Sequence, residues 1–281
     1  LERGRQDLSP HPFSTSFGPG DVRITTRVSE DFLNPCLFGS IHEAGHAMYT
    51  QGHSPSLDRT GLFDGASPGM HESQSRLWEN LIGRSRPFWR HYLGKAQKAF
   101  PGVLDDVDEE RFYGAVNKVE PSYIRVEADE VTYNLHILLR FEIERDLLTG
   151  KLAVEDVPEA WGAKVREYLG LPAPSDAEGP LQDIHWTFPL LGTFTGYTLG
   201  NVIGAQLMMK IKDALPDLDA QIERGDFAQL LGWLRENVYR HGRKFTPAEL
   251  VERVTGEPIH AAPWIAYARA KFGDLYGLNG R

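Results

Sequence analysis

Strict alternation of apolar and polar positions is confined to one stretch of the chain. Over residues 21–28, Val22, Ile24, Thr26 and Val28 take turns with Arg23, Thr25 and Arg27 after the turn sequence Gly18-Pro19-Gly20, which predicts a strand. Residues 1–20, rich in Pro, Gly, Ser and Phe, are expected to be irregular. Beyond residue 30 the signals are helical. Asn34-Pro35 offers an N-cap and a proline at the first helical position, predicting a helix that stops near Gly52. Ser67-Pro68 repeats that start signal ahead of a second helix over 70–82. Trp89, Tyr92 and Phe100 follow at helical spacing, most simply as core. Asp105, Asp106, Asp108, Glu109 and Glu110 read as a solvated helix N-terminus favoured by the dipole, because the glycine of a calcium loop is missing. Residues 124–148 hold neither Gly nor Pro and predict the longest helix, closed by Thr149-Gly150. Further helices are expected over 158–169, 197–213, 226–239 and 263–272, with a loop at Pro172, Pro174, Ser175 and Gly179. No repeat and no clean linker divides the chain, so the expectation is a single, mainly α domain over residues 1–281 with one small β element.

Composition narrows the function classes. The 281 residues, 41% hydrophobic and 25% charged, suffice for one large soluble core. A net charge of −9 without any basic run argues against nucleic acid and against anionic membranes as partners. The single cysteine, Cys36, excludes an internal disulfide framework and points to a reducing, cytoplasmic compartment. No stretch approaches the apolar length of a membrane span, and the opening residues carry no signal-peptide pattern.

Chemistry enters at Ser40-Ile41-His42-Glu43-Ala44-Gly45-His46, an H-E-x-x-H motif inside the first predicted helix. Residues four apart share a helix face, so His42 and His46 can turn their imidazoles to one ion, with Glu43 at the rim of the site. A hydrolytic metal centre needs a third protein ligand and an open position. Glu72, in Gly69-Met70-His71-Glu72-Ser73-Gln74-Ser75-Arg76, is the best candidate, since an antiparallel second helix would bring it across the histidine face. Glu79, two turns on, is the rival and is expected to orient one of the histidines. His71 points away from Glu72 and is expected at the rim of a cleft. Cys36, six residues before His42, is expected to be a small buried residue of the same helix.

Six stretches, taken together, resemble the carboxypeptidase Taq family of metallocarboxypeptidases. They are His11-Pro12-Phe13, Asp21-Val22-Arg23-Ile24-Thr25, His42 to His46, His71-Glu72-Ser73-Gln74, Ile124-Arg125-Val126-Glu127-Ala128-Asp129, and Gly179-Pro180-Leu181-Gln182-Asp183-Ile184-His185-Trp186. The resemblance runs from residue 11 to about residue 201; family members usually carry an extra helical N-terminal half. It implies a helical zincin-like fold with a deep active-site cleft, a homodimer, and peptide substrates. It also implies zinc held by His42, His46 and Glu72, with cobalt or manganese accepted, and Glu43 as general base to a metal-bound water. The implied reaction removes single C-terminal residues with broad specificity. A terminal carboxylate calls for an arginine fork. Arg125 and Arg23 lie in family motifs, and the competing expectation is that each pairs with a structural acid, Glu127 or Asp129 for Arg125. Glu127, Asp129 and Glu130 are expected as buried-pair acids on the long helix. His185 and Tyr197 resemble the His and Tyr pair that related helical zinc peptidases aim at the oxyanion, and His11 is expected to line the cleft. An endopeptidase or dipeptidyl carboxypeptidase on the same metal site is the sister alternative. A truncated metal- or peptide-binding module without turnover is the alternative of a different class.

Overall fold

The chain, described over residues 2–278 in this computed structural model, is mainly helical and divides into two compact units. One comprises Leu1–Val116 with Leu199–Arg281, the other Asn117–Thr198.

The first unit opens with a three-stranded sheet of β1 (Gln6–Leu8), β2 (Ser14–Ser16) and β3 (Val22–Thr26), in the order β1-β3-β2. β1 pairs parallel and β2 antiparallel to β3. Only β3 was legible in the pattern. Two strands thus lie in the stretch expected to be irregular, because each is three residues long, largely unburied, and held by the backbone of β3 instead of by an alternating face of its own. β3 does have such a face: Val22 and Ile24 are buried against Ala47 of α1 (Leu33–Gln51). That helix starts one residue before Asn34, with Phe32 as an N-cap that makes no side-chain bond, and closes at Gly52 as expected. α2 (Pro68–Arg76) is capped by Ser67, whose hydroxyl accepts from the Met70 amide, and runs directly into π-helical turns over Leu77–Gly83. α3 (Arg86–Ala99) and α4 (Glu109–Val116) bury Trp89, Phe112 and Val116 against Phe38 of α1. Each such large apolar side chain contributes about 1.5–3 kcal/mol relative to exposure.

The second unit is built on α5 (Tyr133–Leu148) and α6 (Val157–Leu169), whose core includes Leu139, Ile143, Trp161 and Val165. The expected helix over 124–148 therefore begins nine residues late. Asp129 explains the delay: its carboxylate accepts from the amides of Val131 and Thr132 and from the Thr132 hydroxyl, which makes a turn in place of helix. Ahead of it Arg125–Glu127 form a single 3₁₀ turn on which Glu127 is exposed, so neither acid is a buried helical partner.

α7 (Thr195–Ala214) begins in the second unit and continues into the first. α8 (Leu218–Glu223), α9 (Ala228–Asn237), α10 (Pro247–Thr255) and α11 (Ala262–Leu275) follow. α10 escaped the pattern reading although its start was written in the sequence: Thr246 and Glu249 form a reciprocal capping box. The largest core cluster joins Tyr49, Met70, Leu77, Ile203, Leu207, Leu230 and Tyr239 of the first unit. Among the described residues no helix is long and apolar enough to cross a membrane.

Candidate active site

α1 and α2 lie against each other because one glycine lets them. A Cβ on Gly45, between the two motif histidines, would stand 2.7 Å from both the Gln74 carbonyl oxygen and the Ser75 Cα. On the other side of α2, a Cβ on Gly200 of α7 would stand 2.5 Å from the Glu72 Cγ. With both positions bare, Glu72 reaches the histidine face. His42 Nε2 and His46 Nε2 lie 3.6 and 3.5 Å from the same oxygen, Glu72 Oε2, and the ligand atoms of the three residues fall within 4.8 Å of one another. Donors around one tetrahedral ion with bonds of about 2.0–2.1 Å stand about 3.4 Å apart. Two imidazole nitrogens and one carboxylate oxygen at these spacings fit a divalent metal, and they form the one such group among the described residues.

The supports of that group are built from charge. Glu79 accepts from His42 Nδ1 at 2.9 Å, as the sequence suggested, which leaves the Nε2 lone pair for a metal. Arg76 bridges the two acids, donating Nε to Glu72 at 2.7 Å and Nη1 to Glu79 at 3.3 Å. Arg84 donates to the other Glu79 oxygen at 3.3 Å. That bond needs the π-helical turns. Five residues along an α-helix turn by about 140°, whereas the wider π turn brings position i+5 back toward the same face. Burial alone would raise the pKa values of Glu72 and Glu79; the arginines and histidines outweigh it and hold both carboxylates well below the ordinary range. His42 is displaced upward, since the carboxylates of Glu72 and Glu79 outweigh its desolvation. Sequence reasoning missed both arginines. Arg76 was findable, four residues after Glu72; Arg84 was not, because no α-helical spacing places it there.

His71 lines a surface cavity together with Thr50 and Phe63, as expected of a cleft residue, and it also touches one of the two motif histidines. Its Nδ1 lies 2.7 Å from His46 Nδ1, and burial with the neighbouring His46 and His53 pushes its pKa down to about 3. Glu43 is buried beside the two histidines, and desolvation raises its pKa, opposed chiefly by the histidines' charge and more weakly by His11. His11 is thus within electrostatic reach of Glu43, although its ring is exposed. Arg23 is also exposed, forked onto Asp21 at 2.8 and 2.6 Å and set over the Phe17 ring. Cys36 is half-buried in α1.

The second unit gathers Arg125, His185 and Tyr197. His185 Nε2 lies 2.9 Å from the Tyr197 hydroxyl, and the Arg125 guanidinium sits 4.9 Å from the centre of the Tyr197 ring. The acid that Arg125 pairs with is Asp183, from the motif at 179–186, and not Glu127 or Asp129. Arg125 donates Nε and Nη2 to Asp183 Oδ1 at 3.0 and 2.8 Å, and Nη1 to the Tyr133 hydroxyl at 2.8 Å. Arg140 donates Nε to Asp183 Oδ2 at 2.7 Å. Asp183 is partly desolvated, yet the two arginines hold its pKa down.

The thermostable carboxypeptidase 1 of Thermus thermophilus is 51% identical over 278 residues, covering 99% of this chain and 54% of that protein. Carboxypeptidase 1 of Bacillus subtilis is 45% identical, with 99% and 56% covered. Among solved structures, an M32 carboxypeptidase from Deinococcus radiodurans superposes with a TM-score of 0.96 at 55% identity, covering 98% of this chain and 56% of that one. The chain spans about half the length of the curated relatives it matches. A family model for the carboxypeptidase Taq (M32) metallopeptidases matches residues 1–272, and the chain belongs to that family.

Proposed function

We propose that this chain carries the catalytic centre of a zinc metallocarboxypeptidase that releases single residues from peptide C-termini. The observation that carries the proposal is the convergence of His42 Nε2 and His46 Nε2 on Glu72 Oε2, with the buried carboxyl of Glu43 beside them. Two nitrogen ligands and one oxygen suit zinc, and cobalt or manganese would be accepted by the same set. An ion held by these three residues would supply Lewis-acid polarisation and an acidified water. Glu43 takes the proton of the attacking water and delivers it to the leaving amine; its raised affinity for a proton, a consequence of burial, suits that exchange. Glu79 and Arg76 keep His42 and Glu72 turned inward throughout. His185 and Tyr197 are proposed as the donors to the developing oxyanion, a role supported by their shared hydrogen bond. Arg125 is proposed to receive the substrate's C-terminal carboxylate, with its fork prepositioned by Asp183. His11 is proposed at the cleft beside Glu43, and Arg23 as a second contact for substrate. A single catalytic domain over 1–281 is supported by the continuous helix α7, which belongs to both compact units. A homodimer and a cytoplasmic location complete the proposal, the second supported by the lone cysteine.

One observation favours a second reading, an endopeptidase or dipeptidyl carboxypeptidase on the same centre. Arg125 already serves Asp183 and Tyr133, and Arg23 already serves Asp21. Peptides with free and amidated C-termini separate the two. Mass spectrometry of the products should show stepwise loss of single residues from the free acid and no cleavage of the amide. Cleavage that survives amidation would overturn the exopeptidase proposal.

A further inference from the structure

The two histidines of the metal group are braced by different partners, and the difference fixes a proton. His42 donates a hydrogen bond from its Nδ1–H to a carboxylate, Glu79. His46 faces another imidazole: Nδ1 of His46 and Nδ1 of His71 are 2.7 Å apart, so one ring nitrogen must carry the proton and the other must accept it. His46 Nε2 converges with His42 Nε2 on Glu72 Oε2, and a ligating nitrogen carries no proton. The proton of His46 is then on Nδ1, His71 Nδ1 is the acceptor, and the proton of His71 is on Nε2. The surroundings of His71 match that tautomer. Its Nε2 lies 3.5 Å from Thr50 Oγ1, whose own proton is directed to the His46 carbonyl, so a hydroxyl lone pair faces His71. The ring is held in a fitted seat. Tyr49 packs on it at 5.0 Å between centroids, and a Cβ on Gly65 would stand 2.7 Å from His71 Cδ2 and 2.8 Å from Tyr49 Cε1.

We infer that His71 is a positioning residue for the metal centre, which selects the Nε2-ligating tautomer of His46 by accepting a hydrogen bond from its Nδ1–H. The inference rests on the proposal that His42, His46 and Glu72 hold a divalent ion. A neutral imidazole in this place orients His46 without adding charge, whereas a second carboxylate would cancel more of the ion's positive charge.

Zinc affinity of the whole chain, measured by competition with a chromogenic chelator, tests the role without reference to turnover. His71→Leu removes the acceptor and should weaken zinc binding by about ten- to a hundredfold. His71→Asn places Oδ1 where the histidine has Nδ1 and should restore affinity to within about threefold of wild type. Equal affinity for His71→Leu and wild type, or an Asn variant as weak as the Leu variant, would overturn the inference. Long-range ¹H–¹⁵N spectra of the zinc-loaded wild type give a test that needs no variant. They should show His46 protonated on Nδ1 and His71 on Nε2, and a proton on His71 Nδ1 would contradict the assignment. If the wild type binds no zinc, the metal proposal and this inference fall together; if it binds zinc and His71→Leu binds it equally well, only the inference falls.

Discussion

At the scale of single residues, what could be read from the sequence was what a straight helix repeats. His42 and His46 lie one turn apart on α1 with Glu43 beside the first, and Glu72 and Glu79 lie two turns apart along α2 and its continuation, so the grouping within each helix followed from spacing. Arg84 and His71 did not follow. One needed a change of helical pitch, and the other needed knowledge of which ring lies across from His46. Arg125 shows a third kind of limit, since its partner Asp183 lies fifty-eight positions away in another motif. Whether this arginine serves substrate as well as fold is decided by Arg125→Lys, which keeps the charge and loses the fork. The proposed role predicts that KM for free-acid substrates rises about tenfold with kcat nearly unchanged. A variant with a lowered melting temperature and an unchanged KM would make Arg125 purely structural.

At the scale of elements, the sequence misled wherever a local polar contact replaced a periodic one. Asp129 converts the start of an apparently continuous helix into a turn, and β1 and β2 exist through pairing with β3. The fit of α2 between its neighbours was equally hidden, because glycines at 45 and 200 declare themselves only once another backbone is seen against them. Gly200→Ala should therefore cost about 1–3 kcal/mol and weaken metal binding, since the new methyl displaces Glu72. Gly232→Ala, in α9, meets nothing within 4 Å and should be neutral or stabilising by helix propensity. Thermal melts with zinc titrations on both variants check this pair. A Gly200→Ala protein that melts and binds zinc like wild type would contradict the packing account.

At the scale of the whole molecule, one contribution to acid stability comes from a buried histidine outside the metal group. His136 of α5 is almost fully buried, and desolvation with the charges of Arg140 and Arg125 holds its pKa down to about 3, against the opposing pull of Asp183. The unfolded chain takes up a proton there below its ordinary value near 6.5 while the folded chain does not. Stability contributed by this residue is therefore full above that value and falls as the pH drops toward about 3, by at most about 1.4 kcal/mol per pH unit. Urea unfolding of wild type and His136→Gln should diverge accordingly, the wild type losing about 2 kcal/mol more between about pH 7.5 and about pH 5. Parallel pH profiles would contradict the assignment. The family and the grouping of His42, His46 and Glu72 were legible because they reside in short motifs, and the mainly helical class because periodicity and cap signals carry it; the division into two compact units was not, since no change of composition marks residues 116 or 199. The central claim is that His42, His46, Glu72 and Glu43 act as one hydrolytic centre. Its most direct test is the zinc-dependent release of free amino acid from an N-blocked dipeptide by the wild type and by Glu43→Gln, with bound zinc measured in both. The account predicts release by the wild type, a loss of at least about a hundredfold in the variant, and equal zinc content. Equal release by the two proteins, or none from zinc-loaded wild type, would contradict it.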